Sequence, residues 1–223
     1  DVYKRQSKDR VTPPCIYYDK CGGCQLQHMT YEAQLAMKKE QVVNLFYRKG
    51  SFKDTPINDV IGMESPWRYR NKSQIPVGKN NSNDIIMGFY RQRSHDIIDM
   101  ESCLIQNEEH QKVMKYVKQW FKELNISIYD GQSKKGLMRH LVVRTGYHTN
   151  EMMVIFVTNG KSFKLADRLV ENLKTTFSKI TSIKQNINNS HSNVIMGKES
   201  ITLYGKEKIE DHLSEVTSVS YTH

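Results

Sequence analysis

Three cysteines stand close together near the start of the chain, in the stretch CIYYDKCGGC, as Cys15, Cys21 and Cys24. The fourth cysteine of the 223-residue chain is Cys103. Thiolates are strong metal ligands, and a disulfide framework is uncommon in a chain of this size with so few cysteines. Four cysteines match one tetrahedral four-thiolate site if the fold returns Cys103 to the other three.

The spacing of the cysteines bears on which metal they would hold. Zinc sites usually contain two C-x2-C pairs, and this chain has one such pair. A cubane iron–sulfur cluster can take three ligands from one loop and the fourth from a distant residue. Gly22 and Gly23 would let the backbone wrap a cluster and direct N–H groups at its sulfurs. The spacing favours a cluster and leaves zinc, or thiols with a structural role, as alternatives.

The amino-acid composition indicates which kinds of partner the chain could bind. Its 33 Lys and Arg against 24 Asp and Glu give a net charge of +9, which indicates a polyanionic partner because neutralised phosphates release counterions. The alternative is a basic protein with no such partner. No apolar run is long enough to span a bilayer, and no signal peptide is visible. We therefore expect a cytoplasmic protein without membrane contact.

Periodicity predicts an α+β fold, with a mainly antiparallel sheet and flanking helices. Three helices are expected over Tyr31–Arg48, residues 107–124 and residues 162–177, the last with Ser162 as its N-cap. Strands are expected over 67–77 and 85–94, joined as a hairpin, and then at 97–100, in two runs within 138–158, at 180–187 and at 201–207. The run MMVIFV is apolar on both faces and should be central.

Basic and aromatic side chains mark a predicted RNA-reading surface. Strand alternation over 67–77 would place Arg68, Arg70 and Lys72 on one face, with Trp67 and Tyr69 buried on the other. In the paired strand, Tyr90 and Arg91 could stack on a base and contact a phosphate. An ordinary solvated face is the alternative for the three basic residues, and core packing is the alternative for Tyr90.

Five segments of the chain resemble bacterial RNA (uracil-5-)-methyltransferases of the 23S rRNA type. They are CIYYDKCGGCQLQHMTYEAQLAMKKEQV, PWRYRNKSQIPV, GFYRQRSHDIIDMESC, LMRHLVVRTGYHTNEMMVIFVT and ITLYGKEKIEDHL. The resemblance implies that Cys15, Cys21, Cys24 and Cys103 ligate a [4Fe-4S] cluster that organises an RNA-contacting domain. It also implies 23S rRNA as the partner, and S-adenosylmethionine as the methyl donor of a full-length enzyme.

The chemistry of that family requires parts that this sequence does not contain. All four cysteines match cluster ligands, so none remains as the nucleophile, and no Gly-x-Gly loop is present for S-adenosylmethionine. We expect residues 1–14 to be an OB-like remnant with a non-native flank, and 15–205 to be the central iron–sulfur, RNA-binding domain. Residues 206–223 would begin the link to a Rossmann-like catalytic domain that is truncated away and end in a second non-native flank.

Three classes of function follow from these expectations. The first is a monomeric methyltransferase fragment that binds the cluster and rRNA, has no obligate protein partner, and contains no catalytic or S-adenosylmethionine-binding residue. The second is a zinc-stabilised RNA-binding module without catalysis. The third is an electron carrier, which a basic chain with one cluster disfavours.

Overall fold

A computed structural model of the chain describes residues 7–50, 52 and 54–221. The chain divides into two compact units, Asp1–Pro66 and Trp67–His223. The predicted non-native flanks fall partly on residues 1–6 and 222–223, and to that extent lie outside the described residues. Within the described part, no helix is both long and apolar enough to cross a bilayer.

The described residues of the first unit form a turn-rich cysteine segment followed by a helix. Helix α1 spans Tyr31–Leu45 and continues into a π-helical turn, Phe46–Gly50. Thr30 caps its start, because the Thr30 hydroxyl accepts a hydrogen bond from the N–H of Ala33 at 3.3 Å. The predicted helix is confirmed; it contains no buried residue, and Leu45 is 54% exposed.

The described part of the second unit, residues 67–221, contains strands, two helices and a hairpin. The sheet strands are β1 Lys72–Lys79, β2 Ile85–Tyr90, β3 Ile97–Asp99, β4 Met138–Thr145, β5 Met152–Thr158, β6 Ile180–Ile187 and β7 Glu199–Gly205. The helices are α2 Glu108–Glu123 and α3 Ala166–Thr176. The hairpin is β8 Ile209–Leu213 with β9 Val216–Ser220.

Among the described residues, seven strands form one sheet in the order β3-β2-β1-β4-β5-β6-β7. The neighbours pair antiparallel except β5 and β6, which run parallel and are connected through α3. This confirms the predicted mostly antiparallel sheet with flanking helices. The predicted hairpin of β1 and β2 is also confirmed, with Val77 opposite Met87.

Both faces of the sheet carry core residues. On one face, α2 and α3 contribute Val117, Phe121 and Leu169 to the larger core. On the other face, Val142 and Ile155 pack with Ile209 of β8. Alternate residues of β5 enter the two cores, so all seven of its residues are buried, which confirms the prediction that it is a central strand.

Three local predictions are wrong. Residues 67–71 do not continue strand β1, because Arg68 has a left-handed backbone (φ 57°) and Arg70 makes an isolated bridge to Gln106. Tyr69, predicted to be buried, is 52% exposed. Helix α3 begins at Ala166 rather than after Ser162, and no side chain caps its first turn.

Candidate cysteine site and nucleic-acid interface

The first three cysteines lie in a series of tight turns in the first unit. Backbone hydrogen bonds from Tyr18 N–H to the Cys15 carbonyl (3.0 Å) and from Cys21 N–H to the Tyr17 carbonyl (2.8 Å) fold the loop. The N–H of Gly23 donates to the sulfur of Cys21 at 3.4 Å. This arrangement has the N–H-to-sulfur contact that stabilises a thiolate.

The donor chemistry of the cysteines fits a thiolate-ligated metal group. All four cysteines are half-buried. Within residues 7–50, 52 and 54–221, no three or more His, Cys, Asp or Glu side chains are grouped as metal ligands. Cys103 belongs to the second unit and the other three to the first. The cluster therefore stays a prediction, carried by the sequence.

Cys103 lies in a loop between β3 and α2 that polar side chains hold in place. The carbonyl of Cys103 accepts hydrogen bonds from the guanidinium of Arg68 and from Gln111 Nε2, the latter at 2.7 Å. Arg68 also pairs with Glu108 at 3.3 Å, and its backbone N–H donates to the Leu104 carbonyl at 2.9 Å. Arg68 was predicted to lie on an exposed strand face. Its side chain instead bonds to the backbone of the Cys103 loop.

A buried polar network lies beside this loop, and sequence reasoning missed it. His110 of α2 is 1% exposed; its Nδ1 lies 2.7 Å from the hydroxyl of Ser73, and its Nε2 lies 2.7 Å from the hydroxyl of Thr145. Ser73 also donates to Gln106 Oε1. Burial lowers the pKa of His110 to about 4, against a smaller opposing effect of Glu109. The only sequence signal was a histidine at core spacing on an amphipathic helix.

The remaining predicted RNA-contacting residues lie just before or at the start of β1, and at or just after the end of β2. Arg70 and Lys72 are exposed, and Lys72 opens β1. Tyr90 ends β2, is half-buried, and has its pKa raised by burial. Arg91 is exposed, and its Nε lies 4.0 Å from Oδ2 of Asp96. The β1–β2 register pairs Val77–Lys79 with Ile85–Met87, whereas the first part of β1, Lys72–Pro76, pairs with β4 and the end of β2 pairs with β3.

No protein-family model matches the chain. Curated proteins of similar sequence and a solved structure of similar fold do match it. The chain is 74% identical over 212 residues to proteins of Staphylococcus epidermidis named uncharacterized RNA methyltransferases, and 68% identical to ones of Staphylococcus aureus. These matches include 95% of this chain but only 46–47% of the relatives. The chain thus spans about half the length of the curated relatives it matches.

A solved structure gives the fold. It is the Pyrococcus abyssi tRNA (uracil-54, C5)-methyltransferase in complex with S-adenosyl-L-homocysteine, with a TM-score of 0.71 and 24% sequence identity. The match covers 98% of this chain and 47% of that one. The chain therefore has the mixed α/β fold of about half of that protein, and its close homologues are named RNA methyltransferases.

Proposed function

We propose that the chain is the iron–sulfur and RNA-binding part of an S-adenosylmethionine-dependent RNA (uracil-5-)-methyltransferase. The observation that carries the proposal is the 74% identity, over 95% of the chain, to proteins named RNA methyltransferases. The fold shared with a uracil-C5 methyltransferase supports the choice of base. The assignment to 23S rRNA, and a cytoplasmic monomer, rest on the sequence resemblance.

In this proposal methyl transfer requires sequence that the relatives contain beyond the matched half. The reaction of the resembled family needs a nucleophilic cysteine in addition to the cluster ligands, and the four cysteines here are all assigned to ligation. The role of this part is therefore to hold RNA while the remainder of the enzyme acts on the uracil. S-adenosylmethionine belongs to the whole enzyme and has no assigned residue here.

Cys15, Cys21, Cys24 and Cys103 are the proposed ligands of the [4Fe-4S] cluster. When bound, the cluster would organise the RNA-contacting part of the chain rather than carry electrons. The described contacts support this role, because Gly23 N–H already points at the sulfur of Cys21. On the other side, Arg68 and Gln111 fix the backbone of Cys103. A flexible loop would lose more conformational entropy when its thiolate binds.

Exposed cations at the start of β1 and just after β2 are the proposed phosphate contacts. Arg70 and Lys72 are exposed, and no ion pair is recorded for either among the described residues. Arg91 pairs with Asp96 only at 4.0 Å, with both side chains more than half exposed, so this interaction contributes little and leaves the guanidinium available to RNA. We assign Arg68 to the Cys103 loop instead.

Metal analysis of anaerobically purified protein tests the cluster. We expect a brown protein containing about four irons and four sulfides per chain. Cys103→Ser should lose the cluster, whereas Ser102→Ala, at the neighbouring position, should retain it. One zinc per chain without sulfide would instead establish the zinc-stabilised module, and a full iron content in Cys103→Ser would remove Cys103 from the ligand set.

A further inference from the structure

The second unit contains a large cleft whose lining includes Tyr90 of the predicted RNA-contacting residues but none of the four cysteines, Arg68, Arg70, Lys72 or Arg91. Its volume is about 1000 Å³. It is lined by the end of the β1–β2 hairpin, by residues 128–131, and by the loop 191–195. These three segments are distant in sequence, so the cleft is a product of the fold. Its size is at the upper end for small-ligand pockets and suits a nucleotide.

One wall of the cleft is an aromatic ring with a fixed cation. The guanidinium of Arg139 lies 4.3 Å from the centre of the Tyr129 ring. Arg139 is 8% exposed, and its Nη1 donates to the carbonyls of Asn188 (2.6 Å) and Ser190 (2.7 Å). Its Nε is shielded and has no partner among the described residues. A buried unpaired donor is typical of a site that a ligand or water completes.

The cleft lining contains further rings with hydrogen-bonding atoms. Tyr90 and His95 are in edge-to-face contact, with ring centres 5.6 Å apart. His140 Nε2 lies 3.4 Å from the hydroxyl of Tyr90. Burial lowers the pKa of His140 to about 4, so its ring is neutral at pH 7 and offers one donor and one acceptor.

The charges that line the cleft favour an anion. Lys79, Lys134 and Arg139 are cations, and Asp130 is the carboxylate among the lining residues. Asp130 already accepts hydrogen bonds from the backbone of Gln132 (3.1 Å) and Ser133 (3.0 Å) in its own turn. Its carboxylate is therefore engaged, and the lining carries more positive than negative charge.

We propose that this cleft binds an unpaired nucleotide of the RNA, with the base stacked on Tyr129 and a phosphate near Lys134. Rings next to fixed cations are how proteins hold splayed bases, whereas a site for phosphate alone would not need them and an apolar ligand would not suit the lysines. The proposal rests on the proposed function and adds to it a place where the RNA must be single-stranded.

Binding of short RNAs to the chain tests this site. The probes are a fluorescent single strand of about 12 nucleotides and a blunt duplex containing the same strand, compared by anisotropy at one salt concentration. Tyr129→Ala should weaken single-strand binding by about 5-fold to about 150-fold, as expected when one stacked base is lost, and should leave duplex binding unchanged. Tyr129→Phe keeps the ring and should stay within about twofold of wild type.

The matched control is Tyr147→Ala, which removes the same side chain from a turn where it is 78% exposed; it should leave binding unchanged. Equal effects of Tyr129→Ala and Tyr147→Ala would overturn the cleft while leaving RNA binding intact. If wild type bound neither probe, the proposed function would fail instead.

A charge variant keeps the proposal testable if Tyr129→Ala melts below the assay temperature. Lys134→Gln should lower the salt dependence of single-strand binding by about 0.7 in log–log slope, and Lys164→Gln, an exposed lysine that does not line the cleft, should not. The same slope in both variants would overturn the proposal.

Discussion

The second unit should lose stability steeply between pH 7 and pH 5, because two histidines are held neutral by burial. The pKa values of His110 and His140 are each lowered from 6.5 to about 4. As pH falls below 6.5, these histidines take up protons in the unfolded chain but not in the folded one. Each stabilising contribution is therefore complete above pH 6.5 and is lost progressively as pH approaches 4.

The size of the effect follows from the two pKa values. Between pH 7 and pH 5 each histidine lowers the free energy of unfolding by about 2 kcal/mol, and the pair by about 4 kcal/mol. The carboxyl groups of Glu109 and Glu151 have pKa values lowered below 4.5 by Lys112 and Lys206, so their own contributions are lost mostly below this window. A loss of this size is a large part of the total stability of a typical domain.

Urea unfolding at pH 7, 6 and 5 measures the loss. His110→Gln should lower stability at pH 7, because it disturbs the contacts with Ser73 and Thr145, but should remove about half of the pH dependence. His148→Gln changes an exposed histidine and should leave the dependence as in wild type. A wild-type stability that differed by less than about 1 kcal/mol between pH 7 and pH 5, or an unchanged pH dependence in His110→Gln, would refute the reasoning.

Four further predictions concern RNA, catalysis and packing. Arg70→Ala and Lys72→Ala should each weaken RNA binding and lower its salt slope by about 0.7 to 0.9, whereas Lys164→Ala should do neither; equal effects in titrations at several salt concentrations would mean diffuse attraction. The chain alone should transfer no methyl group from labelled S-adenosylmethionine to 23S rRNA, and detected transfer would contradict the division of roles. Phe121→Ala should cost about 3–5 kcal/mol in urea unfolding because the ring is fully buried, and a cost below about 1 kcal/mol would show that the site collapses freely. Gly136→Ala should cost about 1–3 kcal/mol, since Gly136 has φ +99° and an added Cβ would overlap a backbone carbonyl; a neutral result by thermal melting would show that this turn can shift.

Much of the fold could be predicted because local patterns and burial agree. The helix over Glu108–Glu123 has its apolar residues at helical spacing, and the fully apolar strand Met152–Thr158 is central. The pattern misled at 67–71, where alternating Arg and aromatic residues imitate a strand. There the backbone turns at Arg68 so that its side chain can hold the Cys103 loop, a tertiary role that alternation cannot reveal.

The cleft could not be predicted for a related reason. Tyr129, Arg139 and His191 come from separate segments, and their meeting depends on how the loop after β6 returns over the sheet. The Asn/Ser/His-rich composition of that loop indicated only irregular structure. The side chain of Asn188 orders it, by donating to the carbonyls of Val194 (2.7 Å) and Ile195 (2.9 Å). The sequence alone does not distinguish a buried asparagine that hydrogen-bonds to its own loop from an asparagine exposed to solvent.

The position of β5 has a consequence for how the second unit opens. Its residues bond to β4 on one side and to β6 on the other, and all seven are buried. Its amide hydrogens can therefore reach solvent only when the whole sheet separates, whereas those of the three-residue strand β3, at one end of the strand order, need a far smaller opening. Slow hydrogen exchange in β5 thus reports global unfolding, and fast exchange near β3 reports the local motion of the segment that leads into the Cys103 loop.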